Sequence, residues 1–227
     1  MEAKTLVKIC GITSVRQALQ IAELGVDAIG VISVKESPRF VLPKKKEEIF
    51  RNLEKFFPKV KRVSVVKNES LKLIGRNCRN SGNVIQLHGD EDLAYCEILR
   101  KTLPQVELWK AFRIKDREDL KEIEPFSNFI DTILLDSWNE KKYGGSGNRI
   151  EFRYLEGLKF SKPWFLAGGI SIDWIKQILY DIRPDGIDIS SSIEISPGIK
   201  YHAGVSAQLK SAVILAGLNS YGKTEII

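Results

Sequence analysis

The sequence predicts an α/β fold, a single (β/α)8 or TIM barrel, on three observations. Eight short apolar runs alternate with helical patterns. Most of these runs end in a polar or glycine-rich stretch. The chain has 227 residues, and such a barrel needs ~200–250. Parallel strands need crossover helices, nearly always right-handed, and eight such units close with their loops at one mouth. An open doubly wound sheet would carry a glycine fingerprint after its first strand. Here Cys10-Gly11-Ile12-Thr13 has one glycine, and the glycine-rich loops come late.

The first strand is about Leu6–Cys10 and puts a thiol at its C-terminal end. Ser14 and Gln17 have the form of a capping box, and Val15, Ala18, Leu19 and Ala22 make one apolar stripe. Gly25 ends that helix. Ala28–Ile32 is apolar on both faces, as a buried parallel strand should be. Pro43 marks the first turn of the second helix. Val63–Val66, Val84–Leu87 and Val106–Phe112 are strands three to five. Ser70–Asn80 is the third helix, and Leu93, Cys96, Leu99 and Leu103 share one face of the fourth. A short helix follows strand five. Strand six, Ile130–Leu135, ends at Asp136 and opens into a long loop holding Gly144-Gly145-Ser146-Gly147. Trp164–Ala167 is strand seven, and Ile175, Ile178, Leu179 and Ile182 give the next helix its stripe. Gly186–Ile189 is strand eight. A last helix carries Val205, Leu209, Ala212, Val213 and Ala216.

No low-complexity run or linker divides the chain, so residues 1–227 are expected to form one domain, with 219–227 a tail of unclear role. The N-terminus has no basic-then-apolar segment, and no apolar run approaches the ~20 residues of a membrane helix. Three cysteines without Cys-x-x-Cys spacing argue against a disulfide framework or zinc site, and fit a reducing cytoplasm. The net charge is +6, with much of the excess in Lys44–Lys46 and Lys59–Arg62. No aromatic platform is interleaved, so these read as a solvated face rather than a nucleic-acid patch. The expected partner is a small anionic molecule, not nucleic acid or membrane.

Cys10 and Asp136 are the candidate catalytic pair. A thiol at a barrel strand's C-terminal end can act as base or nucleophile if its surroundings lower its pKa. Cys78 and Cys96, within helices, read as small buried hydrophobes. Asp136 faces the mouth with no helix starting behind it, so it suits a general acid better than a cap. Base and acid on opposite sides of a bound molecule fit proton transfer at two atoms. Neither histidine, His88 or His202, is placed by sequence beside Cys10, which disfavours a Cys–His nucleophile. Gly168-Gly169 and Ser190-Ser191-Ser192, after strands seven and eight, fit the usual barrel phosphate site of backbone N–H groups. Gly144–Gly147 has the composition of a lid. Arg39, in Ser37-Pro38-Arg39-Phe40, is a fixed guanidinium suited to a carboxylate.

Lys8-Ile9-Cys10-Gly11-Ile12-Thr13, Ser37-Pro38-Arg39, Gln86-Leu87-His88-Gly89-Asp90, Leu134-Leu135-Asp136, Gly144-Gly145-Ser146-Gly147, Ala167-Gly168-Gly169-Ile170 and Asp188-Ile189-Ser190-Ser191 closely resemble the phosphoribosylanthranilate isomerase family. The match runs in order to about Lys200. The resemblance implies an Amadori rearrangement of N-(5-phosphoribosyl)anthranilate in tryptophan biosynthesis, with no cofactor and no metal. It implies that Asp136 protonates the ribose ring oxygen, that thiolate Cys10 takes the C2 proton, and that Arg39 holds the anthranilate carboxylate. His88, Gly145, Gly147, Gly168, Gly169, Asp188, Ser190, Ser191 and Ser192 are the further substrate-binding residues it implies, in a monomer or homodimer. The chain departs from the family pattern with Ser192 in place of a glycine, Tyr201 in place of an aspartate after Lys200, and Ile150-Glu151-Phe152 in place of Phe-Asp-Trp. A histidine-pathway sugar-phosphate isomerase would carry aspartate where this chain has Cys10. A non-catalytic anion-binding barrel would need neither Cys10 nor Asp136.

Overall fold

Eight strands close into one parallel barrel in chain order. They are β1 (Leu6–Cys10), β2 (Ala28–Ile32), β3 (Lys61–Val66), β4 (Val84–Leu87), β5 (Glu107–Ile114), β6 (Thr132–Ser137), β7 (Trp164–Leu166) and β8 (Gly186–Ile189). The ring closes where Lys8 pairs with Asp188 and Ile9 with Ile189. The structure is a computed structural model. It describes residues 5–77, 82–137 and 150–190, with two-residue strand pieces at Ser196–Pro197, Lys200–Tyr201, Ser220–Tyr221 and Glu225–Ile226. The expected last helix, Cys78, the Gly144–Gly147 loop, Ser191, Ser192 and His202 lie outside the described residues.

Strand parity sorts side chains into two layers. Val7 and Ile9 of β1, Ile133 and Leu135 of β6, and Ile187 and Ile189 of β8 pack outward against the helices. Leu6 and Cys10, Leu134, Trp109, Ala111 and Phe165 pack inside the barrel. Successive strand residues face opposite ways, so Lys8, Asp136 and Asp188 share the interior with Cys10. Trp109 and Phe165 fill the interior with ring centroids 4.8 Å apart. Gly186 makes room for them, because a Cβ there would run into the Phe165 ring.

The helices are α1 (Val15–Glu23), α2 (Pro43–Phe56), α3 (Leu71–Asn77), α4 (Leu93–Thr102), α5 (Phe152–Leu155) and α6 (Ile172–Gln177). Ser14 caps α1 by accepting from the Gln17 N–H, and Gln17 Oε1 reaches back to the Thr13 N–H at 3.1 Å. Gly25 follows at φ +80°, and its N–H bonds the Ala22 carbonyl.

Several expectations need correction. Lys46 is not solvated: it lies buried under α2 and donates to Ser33 Oγ at 3.0 Å and Ser64 Oγ at 2.9 Å. Lys61 and Arg62 belong to β3 rather than to a flanking surface. Leu93 opens α4 on its exposed side, whereas Cys96 and Leu99 are buried as expected. The short helix after β5 is two 3-10 turns, Asp119–Glu122 and Glu124–Asn128, the second entered through Pro125. β6 runs through Asp136 to Ser137, because β5 extends beyond Phe112 and Arg113 pairs with Asp136.

Candidate active site

An open pocket of about 810 Å³, its solvent-filled entrance included, sits at the C-terminal ends of the strands. Cys10, Arg39, His88, Asp136, Gly168, Gly169, Asp188 and Ser190 all line it, so the described residues singled out from the sequence converge on one cleft. Each is brought there by the fold. Cys10 closes β1 with inward parity, and Asp188 and Asp136 each stand one residue from the end of their strands, β8 and β6. His88 follows β4 in the turn to α4.

Lys8 lies beneath Cys10 on the same face of β1, fully buried, with Nζ 2.6 Å from Asp188 Oδ2. Burial alone would lower its pKa, but the attraction of Asp188 and of Cys10 outweighs this and holds the ammonium above its ordinary value. Burial pushes the Cys10 thiol up, and Lys8 is the largest influence pulling the other way. Oδ1 of Asp188 is buried without a hydrogen-bond partner among the described residues, an acceptor left facing the cleft.

Asp136 is 6% exposed, and its Oδ1 accepts from the Ser137 N–H at 2.8 Å. Its Oδ2 lies 3.3 Å from His88 Nε2, and His88 Nδ1 is 3.0 Å from Gln86 Nε2. The turn that carries His88 is fixed from below. Glu91 accepts from the N–H groups of Gly89 and Asn68, and buried Lys110 donates to Glu91 and to the Gly89 carbonyl.

Arg39 crosses the mouth and donates through Nη1 to Ser190 Oγ, which in turn donates to the Cys10 carbonyl at 3.1 Å. The Ser190 hydroxyl is therefore engaged in tying β8 to β1 and to Arg39. Gly11, at φ +92°, lets the Arg39 side chain lie across it, since a Cβ there would sit 2.7 Å from Arg39 Cδ. Gly168 and Gly169 have φ +75° and +63°, the left-handed pair that points successive N–H groups to one side.

Sequence reasoning passed over Lys8 and Lys67 as site residues. Lys67 follows β3 and also lines the cleft. The signal for Lys8 was present: a charged residue two before Cys10 in a strand otherwise apolar. Lys67 carried only its position after a strand.

A partly buried thiol and a buried carboxyl line one cleft at the strand ends of a (β/α)8 barrel, beside a guanidinium and a glycine turn, and that end is where barrels of this class carry an active site. A family model described as N-(5'phosphoribosyl)anthranilate (PRA) isomerase matches residues 7–211, and the chain belongs to that family. It is 40% identical over 205 residues to the N-(5'-phosphoribosyl)anthranilate isomerase of Synechococcus elongatus, covering 90% of this chain and 94% of that one. It is 37% identical over 220 residues to the enzyme of the same name from Thermosynechococcus vestitus, covering 96% and 94%. Among solved structures, phosphoribosyl anthranilate isomerase from Thermotoga maritima superposes with TM-score 0.76 at 26% identity, covering 94% and 98%. A phosphoribosyl anthranilate isomerase in complex with reduced 1-(o-carboxyphenylamino)-1-deoxyribulose 5-phosphate superposes with TM-score 0.68 at 28% identity, covering 84% and 89%.

Proposed function

We propose that this chain catalyses the Amadori rearrangement of N-(5-phosphoribosyl)anthranilate to 1-(2-carboxyphenylamino)-1-deoxyribulose 5-phosphate, the isomerase step of tryptophan biosynthesis. The observation that carries the reading is that Cys10, partly buried, and Asp136, buried, line one cleft. Asp136 gives its proton to the ribose ring oxygen. The C1–oxygen bond breaks as the anthranilate nitrogen lone pair forms the C1=N bond of a Schiff base. Cys10, as thiolate, removes the C2 proton and yields an enolamine. The enolamine becomes the ketose when C1 gains a proton and the C2 hydroxyl loses one.

Arg39 pairs with the anthranilate carboxylate, a charge-assisted contact a neutral donor would not match. The Gly168-Gly169 turn holds the phosphate through backbone N–H groups, with Ser190 in the same cleft and Ser191 and Ser192, outside the described residues, as its further binders. Asp188 Oδ1 accepts from a ribose hydroxyl. Gly145 and Gly147, outside the described residues, complete the substrate-binding set. The reaction takes place in the cytoplasm without a cofactor. The Thermotoga maritima relative is described as dimeric, and a homodimer is one of the two states we expect here.

The test is turnover of phosphoribosylanthranilate by the purified protein, followed through anthranilate fluorescence. Conversion that needs Cys10 supports the reading. Binding of the substrate without conversion would leave a non-catalytic anion-binding barrel, and conversion of only the histidine-pathway aldosamine would reassign the reaction.

A further inference from the structure

We propose that Lys8 is a positioning residue for the base: its ammonium, anchored by Asp188, supplies the charge against which Cys10 becomes a thiolate. The inference rests on the reading of Cys10 as base and adds the group that makes such a base possible.

A thiol at the floor of an apolar barrel is a poor base. Desolvation disfavours the anion, and burial indeed holds Cys10 above the ordinary thiol range. A fixed cation in contact is the remedy, and β1 provides one. Lys8 and Cys10 are two residues apart, so both point inward from the same face of the strand. The Lys8 charge favours the Cys10 thiolate, and the thiolate in turn favours the ammonium. Lys8 has no exposed surface, so water does not screen its charge.

An isolated ammonium at that depth would lose its own proton. Asp188 prevents this. It sits directly across the ladder from Lys8 on β8, with 2.6 Å between Nζ and Oδ2. Lys8 is thus one cation that acts on both an anion and the titrating thiol. Cys10 also feels Arg39 from the loop after β2, which favours the thiolate, and Asp188 itself, which opposes it. Lys67, His88 and Asp136 face the same cleft from the ends of β3, β4 and β6.

Asp188 acts on Cys10 in two ways: its own charge opposes the thiolate, and it keeps Lys8 protonated. Removing Lys8 takes away the attraction itself. A merely structural lysine would leave the titration of Cys10 where it was.

The experiment is the pH dependence of Cys10 alkylation by iodoacetamide in the full chain, read by mass spectrometry of the Cys10 peptide. It needs no turnover, so it stands whether or not Cys10 proves to be the base; the Cys10→Ala assay addresses that separately. Lys8→Met should move the inflection to higher pH and slow alkylation at neutral pH at least tenfold. The pH profile of kcat/KM should shift in the same direction. If Lys8→Met does not fold, because Asp188 is left buried and unpaired, Lys8→Met/Asp188→Asn removes both charges together. Its inflection should still lie above wild type, since the pull of Lys8 on Cys10 exceeds the push of Asp188. An inflection unchanged from wild type in the folded Lys8 variant, or in the double variant, overturns the proposal.

Discussion

The imidazole of His88 lies 3.3 Å from the carboxylate of Asp136 through Nε2, and its other ring nitrogen is held 3.0 Å from the Gln86 amide. Gln86 of β4 and His88 just after it meet through this contact, so the ring is held between the amide and the acid. With 6% of its surface exposed, Asp136 has little water of its own, and the ring is its main polar neighbour on that side.

Asp136→Asn keeps the shape and the Ser137 contact but removes the transferable proton. Loss of a general acid or base costs ~10²–10⁴-fold. We expect that loss in kcat with KM little changed. A variant whose kcat holds while KM rises would make Asp136 a binding residue and place the acid elsewhere.

Cys10→Ala should lose turnover to a similar extent and still bind product analogues. The pH dependence has a definite sign. Burial raises the Cys10 pKa, so at neutral pH the thiol is the major form and the thiolate fraction grows as pH rises. The kcat/KM value should therefore climb with pH from neutral into the alkaline range. Cys96, pushed up to about 11 by burial under α4, should stay unalkylated where Cys10 reacts. A kcat/KM that is flat or falling above neutrality would count against a thiolate base.

The barrel was legible because its signals are local and repeated: eight apolar runs, capped helices and a polar residue after each strand. Cys10 and Asp136 were legible for the same reason, since strand ends in this fold face one mouth. What could not be read depends on contacts between strands. The extension of β6 through Asp136 needs the longer β5 beside it. The burial of Lys46 needs Ser33 and Ser64, which the fold alone brings near. The pairing of Lys8 with Asp188 spans 180 residues and exists only because β8 closes onto β1. His88 against Asp136 is of the same kind.

Arg39→Ala should weaken binding of anthranilate-bearing ligands, since a charge-assisted hydrogen bond is worth ~1.5–3 kcal/mol. Gly11→Ala should reproduce part of that loss without touching the guanidinium, because the new Cβ would meet Arg39 Cδ at 2.7 Å. Calorimetric titration with a product analogue measures both. Affinity equal to wild type in Arg39→Ala would assign the carboxylate to another cation.

Gly168 and Gly157 permit a controlled comparison. Both have left-handed backbone, with φ +75° and +69°. Alanine is strained at either position by roughly 1 kcal/mol. Their surroundings differ. At Gly157 a Cβ meets nothing within 4 Å. At Gly168 it would lie 2.5 Å from Asp136 Oδ1, 2.5 Å from Ser137 Oγ and 2.8 Å from the Ser137 nitrogen. The backbone contact cannot yield cheaply, so the new methyl group must displace either the turn or the Asp136 carboxyl. Gly157→Ala should lower the melting temperature by a few degrees and leave kcat untouched. Gly168→Ala should lower it at least as much and should also cut kcat by tenfold or more, because the acid moves off its position. Equal kcat values in the two variants would mean that the close approach of Gly168 serves the turn alone, and that Asp136 does not depend on it.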